Sequence, residues 1–227
     1  MRMTPPPAVA FLDVNETLSD LAVLGERFEQ VGAPAHLLPT WFASTLRDGM
    51  ALAASGDYAD FRDVAHAVLQ PLLAGVPQLS APPEEAADHI IAGVGALPVH
   101  TDVPPGIRAL NEAGVRVATL TNGGAAIAKG LLERSGLDGL VERYITVADV
   151  RRWKPAPEPY RQACRALAVA ESEAVLIAVH PWDIHGAKRA GLRAGWLDRQ
   201  GGAYPEVFEP PDATARDFPA LVRALVG

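Results

Sequence analysis

The stretch Ala8–Asp20, AVAFLDVNETLSD, constrains the fold more than any other. It opens with five apolar residues, Ala8 to Leu12, and stops at one carboxylate, Asp13. A polar turn follows, Asn15-Glu16-Thr17. A continuous apolar run ended this way reads as a strand buried on both faces, which means a parallel sheet. Ligand-binding groups in open α/β sheets sit just beyond the carboxyl ends of such strands. Asp13 therefore stands where a nucleophile or metal ligand would, with a helix-capping aspartate as the plainer alternative.

After this turn the rhythm becomes helical. Leu21, Leu24, Phe28 and Val31 recur at helical spacing, and helices are expected over 38–54, 58–73 and from Pro82 to about Val94. No strand interrupts 21–94, so residues 18–94 read as an inserted all-helical subdomain. From Val103 strands and helices alternate, with strands expected at 115–120, 144–147, 174–179 and 192–197. The fold class is therefore α/β, a doubly wound parallel sheet formed by 1–17 and 95–227 and carrying that helical insertion.

Composition narrows the function classes. Lys+Arg 20 against Asp+Glu 27 gives a net charge of −7, with no basic run, which argues against a nucleic-acid partner. No apolar stretch is long enough for a signal peptide or a membrane span. The one cysteine, Cys164, has no partner for an internal disulfide and lies among alanines in a helical pattern, so a cytoplasmic, reducing setting is expected. Asn15-Glu16-Thr17 fits the N-glycosylation pattern and is taken as chance without a secretory signal. The histidines show no metal-ligand spacing.

Polar groups return at four strand ends or the loops after them: Asp13 with Thr17, Thr121 with Asn122, Lys154, and His180 with Asp183. In this order, with the phrases LTNGG, WKPAPEPY and HPWDIHGAKRAG, the sequence resembles the haloacid dehalogenase superfamily over nearly its whole length, and within it the L-2-haloacid dehalogenases. The resemblance implies a Rossmann-like core with a helical cap, Asp13 as a nucleophile that forms an aspartyl ester, Thr17 and Lys154 beside it, and Asp183 with His180 positioning and activating the hydrolytic water. It places Thr121, Asn122, Tyr160, Trp182, Phe42, Leu46, Phe61 and Asn15 around a small-molecule substrate. It implies no metal, no cofactor and an assembly that includes the homodimer.

Two positions discriminate among functions. Superfamily phosphatases carry an acid two residues after the nucleophile to protonate the leaving alcohol. Asn15 stands there, and an amide is no general acid. A halide needs no proton to leave. The arginine that contacts the halide in the resembled branch falls at Phe42, and Arg47, further along that helix, is expected at the surface. Neutral His180 is a plausible base near pH 7, at a position where the resembled enzymes carry asparagine. A phosphatase of a small phosphorylated metabolite and a non-catalytic binding relative remain alternatives to the dehalogenase.

Overall fold

A computed structural model of the chain describes residues 5–227; Met1 to Thr4, part of the proline-rich lead, lie outside the described residues. Six strands form one parallel sheet: β1 Val9–Leu12, β2 Arg116–Thr121, β3 Arg143–Thr146, β4 Ala174–Ala178, β5 Arg193–Leu197 and β6 Ala213–Ala215. Their order is β3-β2-β1-β4-β5-β6. The order reverses between β1 and β4, so the crevice that binds ligands in such sheets opens at the carboxyl ends of those two strands. Asp13 follows β1 and His180 follows β4.

Both faces of the sheet are covered. Ala10, Leu12, Val175 and Ile177 point to one side, packing with helices α5 (Val103–Glu112), α6 (Ala125–Arg134) and α9 (Phe218–Val226). Val9, Phe11, Leu176 and Ala178 point to the other, under α7 (Pro157–Ala166) and α8 (Pro181–Ala190). The alternation follows from the period of two along a strand. Cys164 is buried in the second layer, as the sequence suggested.

Helices α1 (Gly25–Gln30), α2 (Leu37–Ser55), α3 (Phe61–Ala74) and α4 (Pro83–Val94) pack around their own apolar cluster, which contains Phe28, Trp41, Leu69 and Ile90. The expected first helix is split: Leu21–Leu24 is a 3-10 turn capped by Asp20, and the α-helix begins at Gly25. The third helix starts at Phe61, three residues later than its pattern suggested. Strand β6 was not expected. Its three residues, Ala-Thr-Ala, carry no apolar run, and it gains strand geometry only by pairing with β5.

Trp153 ties the helical block to the sheet. Its indole is fully buried, donates from Nε1 to the Ala59 carbonyl at 2.9 Å, and stacks on Phe61 at 5.7 Å. Gly49 on α2 lets the ring approach so closely that a Cβ there would lie 2.3 Å from it. Gly49→Val is therefore expected to lower stability by about 1–3 kcal/mol through overpacking, against the gain in helix propensity that losing a glycine brings. An earlier urea midpoint with unchanged slope would be the reading; a midpoint at or above the parent's would mean the ring is not held there.

Candidate active site

Asp13 directly follows β1 and is 4% exposed. Its Oδ1 accepts from Lys154 Nζ at 2.9 Å and its Oδ2 from the Thr17 hydroxyl at 2.7 Å. Thr17 is fixed in turn, accepting from the Val179 N–H at 3.1 Å. Lys154 is fully buried, and its three N–H donors are all used: on Asp13, on the Leu120 carbonyl at 2.9 Å and on Asp183 Oδ2 at 2.6 Å. Burial by itself would push the Asp13 carboxyl up. The Lys154 ammonium, His180 and the Thr17 hydroxyl outweigh it and hold the group well below the usual carboxylate range. Burial would likewise push Lys154 down, but the charges of Asp13 and Asp183 hold it above its ordinary value. Asp13 is thus an ionised carboxylate in a nearly dry setting.

Asp183, expected to position the hydrolytic water, contacts Lys154 and Tyr160. It is fully buried, and both its oxygens are engaged, Oδ2 by Lys154 and Oδ1 by the Tyr160 hydroxyl at 2.5 Å. Burial, with the Asp13 charge, raises its pKa. Tyr160 is fully buried as well and does not line the crevice described below. These two hold the lysine in place.

His180 is flanked by Trp182, stacked at 5.2 Å, and by Phe42 at 6.1 Å. Its Nε2 lies 2.8 Å from the Glu16 carboxylate, and its Nδ1 faces Asp13 Oδ2 at 3.5 Å without a formed hydrogen bond. Burial pushes the imidazole down, but the Asp13 and Glu16 carboxylates push it further up, to about 9. The two carboxylates thus favour the imidazolium, where the sequence pointed to a neutral base. Glu16 was missed. It takes a positive φ of 61°, a conformation that costs a non-glycine residue about 1–3 kcal/mol, and the turn so made brings its carboxylate to a histidine 164 residues away in the chain.

A crevice of about 650 Å³ lies between the helical block and the loops after β1, β2 and β3. Asn15 and Asn122 line it, as does Phe61, whereas Asp13 does not itself contribute to the wall. Asn122 accepts from the Lys154 backbone N–H at 2.9 Å, and its Nδ2 is buried with no partner. Thr121 accepts from the Gly123 N–H at 2.9 Å instead of bonding Asp13. Gly124 and Ala125, at the start of α6, face the same crevice. Leu46 lies away from it, packed between the block's core and the cluster around Trp153. Arg47 is at the surface, paired with Asp48 at 2.7 Å. Glu16 and His180 border a second crevice of about 420 Å³ that shares no residue with the first.

A family model described as haloacid dehalogenase-like hydrolase matches residues 10–191. The chain belongs to that family. Haloacetate dehalogenase H-2 of Moraxella sp. (strain B) is 32% identical over 124 residues, 55% of each chain. (S)-2-haloacid dehalogenase 1 of Pseudomonas sp. (strain CBS-3) is 27% identical over 210 residues, 92% of this chain and 91% of its own. The chain spans about half the length of most of the curated relatives it matches. The crystal structure of a dehalogenase superposes with a TM-score of 0.90 at 25% identity, covering 99% of this chain and all of the other. The L-2-haloacid dehalogenase of Xanthobacter autotrophicus superposes with a TM-score of 0.86 at 22% identity over 97% and 99%, and so shares the fold.

The raised pKa of His180 links the site to stability. A group raised on folding stabilises fully below its ordinary value of 6.5, and that stabilisation is lost as pH rises through about 9. The melting-temperature gap between the parent and His180→Gln is expected to shrink between pH 6 and pH 10. A gap that stays constant or widens would mean that His180 is neutral in the free protein.

Proposed function

We propose that the protein is a hydrolytic dehalogenase of short 2-haloacids, such as haloacetates and 2-halopropionates, acting through an ester on Asp13. The observation that carries this reading is the ionised Asp13, gripped by Lys154 and Thr17, with an amide at position 15 where an acid would serve an alcohol leaving group. Curated relatives named as haloacetate and 2-haloacid dehalogenases support it. Residues 18–94 serve as the cap that closes over the substrate.

In the first step an Asp13 oxygen bonds to the carbon bearing the halogen, and the carbon–halogen bond breaks with its electron pair leaving on the halide. Asn122 Nδ2, buried and unpartnered, offers a donor to an anion, and the opening N–H groups of α6 offer a positive dipole end. The ester no longer carries the Asp13 charge. One of the two carboxylates that favour the His180 cation is then neutral, and the proton passes out beside Glu16 toward the second crevice.

In the second step neutral His180 takes a proton from water, and the hydroxyl adds to the Asp13 carboxyl carbon. The bond from that carbon to the substrate oxygen breaks, and the departing oxygen takes the proton back from His180 as the 2-hydroxy acid. The new carboxylic acid on Asp13 returns its proton to His180. The sum is haloacid plus water giving hydroxy acid, halide and one proton. Glu16 orients the imidazole and stabilises its cation. Asp183, with both oxygens occupied, positions Lys154 and is not the base.

One observation favours a second reading. The imidazolium beside Asp13 is itself a proton donor, which a phosphate ester would need. A superfamily phosphatase uses a divalent ion, so phosphate release would stop with EDTA. Halide release from bromoacetate is expected to persist in EDTA, measured by ion chromatography; release of phosphate alone, lost with EDTA, would replace the dehalogenase with the phosphatase.

Asp13→Asn is expected to abolish halide release in a folded protein, and retained release would remove Asp13 from the nucleophile's place. His180→Ala is expected to slow ester hydrolysis by roughly 10²–10⁴-fold, the range of a general base, and Glu16→Gln by less. In both, the Asp13 ester should accumulate in intact-mass spectra. Slower turnover without accumulated ester would assign the pair to the first step or to packing.

A further inference from the structure

The crevice is far larger than a two- or three-carbon acid requires. At about 650 Å³ it falls in the range that houses drug-sized ligands. Away from Asn15 and Asn122 its wall is chiefly apolar: Phe61 on α3, Ile91 and Val94 on α4, and Ile127 on α6. Ile127 is also among the few large apolar side chains that the described residues leave exposed, at 39%. Ile127 therefore shows apolar surface to the same crevice that Asn15, two residues after Asp13, and Asn122, which accepts from the Lys154 N–H, also line. The charged groups there, Asp60 and Arg62, bring opposite signs, and Asp60 is already engaged by the Tyr58 hydroxyl at 2.6 Å. No net charge therefore calls for a second anionic group on the ligand.

We infer that the site accepts 2-haloacids bearing an unbranched apolar side chain of several carbons, with the chain laid along Ile91, Val94 and Ile127. The inference rests on the dehalogenase reading and adds to it which haloacids are best. The carboxylate and the halogen stay near Asn122 and the start of α6, and the tail runs outward between α4 and α6.

The test compares halogenated carbons of equal reactivity, all secondary bromides, each as a single enantiomer: 2-bromopropionate, 2-bromobutyrate and 2-bromohexanoate. The value of kcat/KM is expected to rise with each added methylene, by up to about fourfold per group, the factor for full burial of one methylene. In Ile127→Asp the ratio of 2-bromohexanoate to 2-bromopropionate should collapse toward one. Hexanoate, which carries no halogen, should inhibit more tightly than propionate in the parent. That second measurement does not depend on the variant folding. Halide release that is flat or falling with chain length, together with equal inhibition by the two acids, would overturn this inference and leave the dehalogenase reading standing. No halide from any of the bromides, or from bromoacetate, would overturn both.

Discussion

A buried ammonium shared by two carboxylates organises this molecule. Lys154 Nζ sits between Asp13 and Asp183, with its third donor on the Leu120 carbonyl. These partners come from the ends of β1 and β2 and from the first turn of α8, so one side chain gathers three chain segments at the switch point of the sheet. Each charge would be costly to bury alone, and breaking such a pair costs about 3–5 kcal/mol because a charge is left stranded. Stability and reactivity are therefore bound together. The contact that keeps the core closed is the one that keeps Asp13 ionised.

The charge at His180 gives the site a second state. Both the Asp13 and the Glu16 carboxylate favour the imidazolium. In the proposed mechanism, ester formation on Asp13 removes one of these anions, so that His180 becomes available as a base when there is an ester to cleave. Phe42 and Trp182 hold the ring between them, so position 42, where the resemblance implied an arginine, is an aromatic wall of the His180 site.

Much of this was legible in the sequence, for a physical reason. Asp13, Lys154 and Asp183 each follow an apolar run or sit in a rigid proline-bounded loop, and a parallel sheet sends all such ends to one edge. Thr17 came with Asp13 through its turn. What was not legible depends on direction. Tyr160 turns its hydroxyl to Asp183. Leu46 packs against the core of the helical block and the cluster around Trp153. Glu16 reads as an ordinary turn residue, and nothing in the letters announces a left-handed backbone that swings it to a histidine far along the chain. Strand β6 exists only through its neighbour, so its three residues carried no pattern of their own.

Trp153 has a consequence for how the two halves of the chain communicate. It immediately precedes Lys154, while its ring is clasped by Gly49, Ala59 and Phe61 of the helical block. The indole, a natural fluorophore, therefore couples the packing of the helical block to the peptide that presents Lys154 to Asp13, and its emission reports on that junction.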